Sequence, residues 1–237
     1  MLPKAILFDM DDTILKWDVL SELAWREACK VIAEKTGLFE GEKLLSEIND
    51  LREWYYKDPE RHRISRLNLY DSRRALVKMA LEKLGCDKVG IADEVAIGYG
   101  NMKEDLMEFF PGTEDTLRKL IDRGIKLALV TNGEAKTQRA KIERFGLSRY
   151  FSVCLIEGEL DYGKPDPKIF GAALAKLDVT PAQSWMVGDD LERDISGAQR
   201  AGIFSIWHDY GKTGMPDNSK VKPDRIINDI SEILSLS

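Results

Sequence analysis

The stretch Ile6-Leu7-Phe8-Asp9-Met10-Asp11-Asp12-Thr13 sets two carboxylates, Asp9 and Asp11, one residue apart where an apolar run ends. Lys4 to Phe8 reads as a short buried strand,. A strand that stops in acids, with no Gly or Pro to turn on, projects negative charge at its C-terminal edge, and that edge is where open α/β sheets hold ligands. Packing gives no reason for two acids there. Like charges this close require a neutralising cation or a raised pKa.

Working outward, apolar strand-like runs recur at Ile125 to Thr131, Phe151 to Ile156, Ser184 to Val187, Phe204 to His208 and, more weakly, Arg225 to Ile227. Helical patterns separate them. Thr113 to Arg123 stops at Gly124, Ala135 to Phe145 stops at Gly146, Pro167 to Leu177 opens on Pro, and Arg193 to Ala201 stops at Gly202,. This alternation predicts an α/β fold, a doubly wound, Rossmann-like parallel sheet.

The first strand breaks the rhythm, because no convincing strand lies between Asp12 and Pro111. That interval carries helical stripes: Leu20, Leu23, Ala24, Ala28, Val31 and Ile32; Leu44, Leu45, Ile48, Leu51 and Tyr55; Tyr70, Val77, Leu81 and Leu84; Ile91, Val95, Tyr99 and Leu106,. Four amphipathic helices can bury one another. The expected organisation is a core domain of residues 1–15 and 105–237, with an inserted helical bundle over residues 16–104. The Gly-, Lys- and Pro-rich segment Asp209 to Asp224 reads as a mobile loop,.

Composition narrows the function. With 237 residues, 43% of them hydrophobic, the chain can bury a substantial core,. A net charge of -6 provides no basic face for nucleic acid or an anionic membrane surface, which leaves small soluble ligands,. Cys29, Cys86 and Cys154 stand far apart without a C-x-x-C pair and are expected to be buried thiols,. With no leader-like start and no apolar run near 18 residues, the expected location is the cytoplasm,. An exposed aromatic patch on the inserted helices would mark a homodimer contact.

Four polar clusters fall at or just after strand ends: Asp9-Met10-Asp11, Thr131-Asn132-Gly133, Gly163-Lys164-Pro165-Asp166, and Gly188-Asp189-Asp190 followed by Asp194. Each alone has an ordinary reading as a solvated turn or a helix cap. Together, in this order, they resemble the haloacid dehalogenase-like superfamily of phosphohydrolases across the whole sheet domain. The inserted helices resemble the helical cap that this family places after its first motif.

A phosphate monoester is a dianion, so a carboxylate attacks it only when a metal ion cancels the repulsion. Asp9, Asp11 and Asp189 offer the hard oxygens that suit Mg²⁺,. The Thr131 hydroxyl and Asn132 backbone amide suit phosphoryl oxygens, and Lys164 balances the accumulated charge,. Asp194 would orient Lys164 or a water on the metal, with Asp190 and Thr13 also supporting the site,. The resemblance implies that Asp9 is the nucleophile, forming an aspartyl-phosphate. It implies that Asp11 protonates the leaving oxygen, then activates water, and reaches the metal through its backbone carbonyl.

The expected activity is Mg²⁺-dependent hydrolysis of a small phosphorylated metabolite. A sugar phosphomutase would carry the same clusters. A haloacid dehalogenase needs no metal or second acid, and by the resemblance lacks the acid at the position of Asp11. A phospho-accepting signalling module also uses clustered acids, Thr and Lys, but is shorter and has no helical insert. Of the aromatics Trp17, Trp25, Trp54, Tyr55 and Tyr56, most fit a bundle core, and Trp17 is the better pocket candidate because it follows Asp9 closely,. Arg61, His62, Arg63 and Arg66 read as a solvated charged face, and His208 as a structural or rim residue,.

Overall fold

The computed structural model of the protein describes residues 2–236. Six strands, β1 (Ala5–Phe8), β2 (Lys126–Thr131), β3 (Val153–Ile156), β4 (Ser184–Gly188), β5 (Phe204–His208) and β6 (Arg225–Ile227), form one sheet in the order β3-β2-β1-β4-β5-β6. Every neighbouring pair is parallel. The chain winds outward through β2 and β3 on one side of β1, then returns to lay β4 against its other side. This places the topological switch point between β1 and β4. Register aligns the ends there, since Phe8 pairs with Leu129 on one side and Val187 on the other.

By contacts the chain divides into two compact units, Met1–Lys16 with Glu108–Ser237, and Trp17–Met107. The second unit is helical: α1 (Ser21–Thr36), α2 (Gly41–Tyr56), α3 (Pro59–Leu67), α4 (Leu69–Lys83) and α5 (Ile91–Leu106). It therefore has five helices where apolar periodicity predicts four. The additional helix, α3, contains the basic run Arg61–Arg66, and polar capping starts it. Asp58 Oδ1 accepts from Arg61 N at 2.8 Å, and Pro59 occupies the first turn,. A charged stripe conceals such a helix from a hydrophobicity reading.

The α1 stripe also differs from expectation. Leu23 and Val31 are exposed at 48% and 53%, and the buried face is Ala24, Trp25, Ala28, Cys29 and Ile32. Trp25 stacks on Tyr99 with ring centroids 3.8 Å apart, and these aromatics turn the helix about its axis relative to the aliphatic pattern,. Tyr70 is exposed as well, while Leu76, Val77, Ala80 and Leu81 form the buried face of α4. Trp54 is exposed, whereas Trp17 is buried beneath Lys103 Nζ, 3.9 Å from its ring centroid.

In the sheet unit the helices are α6 (Thr113–Asp122), α7 (Ala135–Arg144), α8 (Glu157–Leu160), α9 (Pro167–Leu177) and α10 (Gly197–Arg200). Alternate strand positions Ala5, Leu7, Ala128, Val130 and Leu155 pack on Ile169, Phe170, Ala173, Leu174 and Leu177 of α9. At about 1.5–3 kcal/mol for each large side chain, this face fixes the register of β1 and so the place where Asp9 emerges. The expected single helix from Arg193 is instead a π-helical turn, Leu191–Ser196, leading into α10. There Asp190 O accepts from both Asp194 N (2.9 Å) and Ile195 N (3.2 Å), the widened spacing of a π-bulge,.

All three cysteines are free, but only Cys29 is buried, with its thiol pushed up to about 12 by burial; Cys86 and Cys154 are half-buried. Among the described residues no helix is long and apolar enough to cross a membrane.

Candidate active site

The turn after β1 carries Asp9 and Asp11 into position. Met10 O accepts from Ile14 N (3.0 Å) and Leu15 N (2.9 Å), and Asp12 N donates to Leu15 O at 2.7 Å. Asp12 takes φ +57°, a left-handed conformation that Asp tolerates,.

Asp9, Asp189 and Asp194 converge, each with a carboxylate oxygen within 4.8 Å of the others. Lys164 enters from the loop before α9. Its ammonium lies 2.6 Å from Asp9 Oδ1 and 2.7 Å from Asp194 Oδ1, with only 3% of its side chain exposed. Asp189 stands on the other side, where Thr13 Oγ1 donates to its Oδ1 at 3.2 Å and Trp207 Nε1 holds its backbone carbonyl at 2.7 Å. Trp207 has no signal in the sequence, since a Trp in a strand reads as core.

Electrostatics follow from this crowding. Burial raises Asp9 above the usual carboxylate range despite the opposing pull of Lys164. Burial and the neighbouring Asp9 and Asp194 push Asp189 well above it. Burial carries Asp194 to about 7 even with Lys164 beside it. Burial works against the Lys164 ammonium too, but Asp194 and Asp9 outweigh it, and its pKa is raised. One ammonium against three carboxylates leaves negative charge that a hard divalent cation would neutralise. Asp9 and Asp189 are suited to hold such an ion, with Asp194 adjacent,.

Asp190 sits apart from this convergence. Its carboxylate accepts from Glu192 N (3.0 Å) and Arg193 N (2.6 Å) and pairs with the Arg193 guanidinium at 2.7 Å. Although burial opposes it, Arg193 draws the Asp190 pKa down. Asp190 caps the π-helical turn while Asp189 faces the acids.

Thr131 ends β2, and the Asn132 side chain ties this loop to that of Lys164. Asn132 Nδ2 donates to Lys164 O at 2.7 Å, while Lys164 N donates to Asn132 Oδ1 at 2.8 Å. The paired amide holds the two loops as a backbone ladder would. Asp11 turns away from the three-acid group towards α7. Lys141 Nζ lies 2.7 and 2.8 Å from its two oxygens, and Gln138 Nε2 donates to its Oδ2 at 3.0 Å. The sequence reading missed both α7 residues, because a Gln and a Lys on a polar helix look solvated.

His208 is buried, with Phe110 and Tyr210 rings 5.2 and 5.9 Å from its own. Burial lowers its pKa. At the start of the 209–224 loop, Asp209 accepts from Thr213 N, Thr213 Oγ1 and Gly214 N at 2.8–3.0 Å.

Residues 3–202 match the family model of haloacid dehalogenase-like hydrolases. Glyceraldehyde 3-phosphate phosphatase of Methanopyrus kandleri is 32% identical over 239 residues, spanning 98% of this chain and 96% of that protein. Phosphoserine phosphatase of Thermus thermophilus is 40% identical over 124 residues, a match spanning 52% of this chain and 49% of that one. Among solved structures, a 2-haloacid dehalogenase from Pseudomonas syringae pv. tomato superimposes with a TM-score of 0.64 at 28% identity, covering 99% of each chain.

Proposed function

Because the chain belongs to the haloacid dehalogenase-like hydrolases and is a phosphatase, we propose that it hydrolyses small phosphate monoesters with Mg²⁺, through an aspartyl-phosphate on Asp9. The observation that carries this reading is the buried group Asp9, Asp189 and Asp194 around the single ammonium of Lys164. Such a group is costly unless a cation and a phosphoryl group use it. Mg²⁺, when bound, supplies charge neutralisation and alignment of the phosphoryl group.

Each of the chain's own residues then has a task. An Asp9 oxygen bonds to phosphorus as the ester P–O bond breaks, and Asp11 gives a proton to the departing oxygen. In the second half, a water oxygen bonds to phosphorus, its proton passes to Asp11, and the bond to Asp9 breaks, restoring the carboxylate. The Thr131 hydroxyl and Asn132 backbone N–H donate to phosphoryl oxygens, Lys164 balances charge, and Asp194 holds Lys164 in place,. Thr13 steadies Asp189, while Asp190 braces the backbone behind it.

The helical unit Trp17–Met107 is assigned as the family's cap, the part that selects among substrates. The relatives act on glyceraldehyde 3-phosphate and phosphoserine by name, which supports a short phosphorylated metabolite here. Phosphate release from a panel of monoesters, with Mg²⁺ and with chelator, tests the reading beside Asp9→Asn and Asp11→Asn. Release at the parental rate from Asp9→Asn, or in chelator, would refute it. Phosphate transferred to substrate and not to water would identify a phosphomutase, and halide release from haloacids a dehalogenase.

A further inference from the structure

Helix α7 presents Gln138 and Lys141 one turn apart, and both are almost wholly buried, at 2% and 3% exposed. Burying a Lys and a Gln costs solvation and rotamer freedom, a cost offset only when their polar ends find partners. Here they are used on the functional strand ends. Lys141 Nζ holds both oxygens of Asp11 at 2.7 and 2.8 Å. Gln138 Nε2 reaches three acceptors: Asp11 Oδ2 at 3.0 Å, Thr131 Oγ1 at 2.7 Å and Asn132 O at 3.1 Å.

We propose that Gln138 and Lys141 are positioning residues that set the orientation of the Asp11 carboxylate and of the Thr131 hydroxyl for phosphoryl transfer. This positioning role rests on the acid/base role proposed for Asp11. An amide NH₂ has two hydrogens, so three acceptors share them, and the shortest of the three contacts is the one to Thr131 Oγ1,. Accepting there leaves the Thr131 hydroxyl to act as a donor; in the structure it donates to Asn132 O at a long 3.4 Å, a bond it can give up for a phosphoryl oxygen,. The same side chain also grips Asp11, so the phosphate donor and the acid/base share one anchor.

Lys141 provides the second hold. With both oxygens of Asp11 engaged by α7, rotation of its side chain is governed by this helix, 130 residues away along the chain. Asp11 carries a proton to the leaving oxygen only when one of its oxygens comes off Lys141, while the other, still held by Lys141 or Gln138, keeps the carboxyl in place. A misplacement of about 1 Å in such a group costs on the order of 100-fold in rate.

Leaving-group dependence separates positioning from general damage. The ratio kcat/KM reports events up to departure of the leaving group, and p-nitrophenolate departs without a proton whereas an alkoxide needs one. Lys141→Met and Gln138→Met are compared with the parent and Asp11→Asn on an alkyl phosphate and on p-nitrophenyl phosphate, with Mg²⁺. Expected for Lys141→Met is a fall of about 10–100-fold on the alkyl ester and under about threefold on the aryl ester. Gln138→Met keeps the ion pair, so it decides the question if Lys141→Met does not fold, with the same contrast at smaller size.

Equal losses on both esters, or parental values on both, while Asp11→Asn shows the selective loss, would overturn the positioning role and leave the hydrolase reading intact. A parent that releases no phosphate, or an Asp11→Asn variant with no selective loss, would overturn both.

Discussion

Gly188 and Asp194 are in direct apposition: a Cβ built on Gly188 would stand 2.3 Å from Asp194 Cγ. The last residue of β4 must therefore be glycine for the Asp194 carboxyl to fold back over the strand end, where its Oδ2 accepts from Asp190 N at 3.0 Å and its Oδ1 meets Lys164.

Gly188→Ala is accordingly expected to displace Asp194 and with it Lys164. Overpacking of this kind costs about 1–3 kcal/mol, and it falls on the residues that carry the proposed chemistry. Thermal unfolding should show a drop of several degrees, of order 5 °C, and phosphate release should fall by at least about tenfold. A variant with parental turnover would mean that Asp194 does not need this position.

Two buried lysines give opposite expectations. Lys164 is the ammonium shared by Asp9 and Asp194, so Lys164→Met strands buried acids and is expected to cost about 3–5 kcal/mol,. Lys103, at 1% exposed, pairs with an Asp18 that is 73% exposed and solvated without it, and its second partner, Ser21 Oγ, retains Tyr99 Oη at 3.1 Å. Lys103→Met loses a cation–π contact with Trp17 worth about 2 kcal/mol,, but regains the several kcal/mol of a desolvated ammonium. Chemical denaturation should find Lys103→Met at least as stable as the parent and Lys164→Met much weaker.

The contrast between these lysines explains what was legible in the chain. β1 with Asp9, the Thr131 edge and Gly188-Asp189 could be read because apolar runs ending in polar residues need only local sequence. All six strands were visible in that way, including the short β6. Whether a lysine is buried depends on a carboxylate far along the chain, as with Lys141 and Asp11, and no local pattern encodes that pairing. Helix α3 was hidden because capping by Asp58 and Pro59, not an apolar stripe, defines it. On α1, the aliphatic residues Leu23 and Val31 attracted a stripe that Trp25 and Cys29 occupy in the fold.

Asn132 offers a narrower test. Its side chain exchanges two hydrogen bonds with the Lys164 backbone, so Asn132→Ala removes both and frees the loop that presents the ammonium. At about 1 kcal/mol for each bond, a loss near 2 kcal/mol is expected, together with lower kcat as Lys164 loses its fixed approach. Asn132→Asp retains the acceptor to Lys164 N but sets a carboxylate oxygen against Lys164 O in place of the donor, and should be no more stable than the alanine variant. If both variants unfold at the parental temperature, the paired amide does not hold these loops.

The pH dependence of stability has a sign fixed by the acid group. Burial raises Asp9, Asp189 and Asp194, the last to about 7, so each holds its proton more tightly folded than unfolded. A carboxyl of this kind contributes its full stabilisation below its unfolded value, near about 4, and loses it as pH rises through the folded value. Metal-free protein should thus lose stability from this cluster between about pH 4 and pH 7. Surface acids with lowered pKa, such as Glu53 hydrogen-bonded to Lys57, act in the other direction, which makes a difference measurement necessary. In chelator, Asp189→Asn should gain on the parent as pH rises from about 5 to about 8. The proposed Mg²⁺ would bind the deprotonated carboxylates, so its stabilisation of the parent, about 2.7 kcal/mol at a hundredfold excess over Kd, should be large near pH 8 and small near pH 5. It should be weak or missing in Asp189→Asn. A Mg²⁺ shift in unfolding temperature that is equal at both pH values, or undiminished in Asp189→Asn, would place the cation elsewhere.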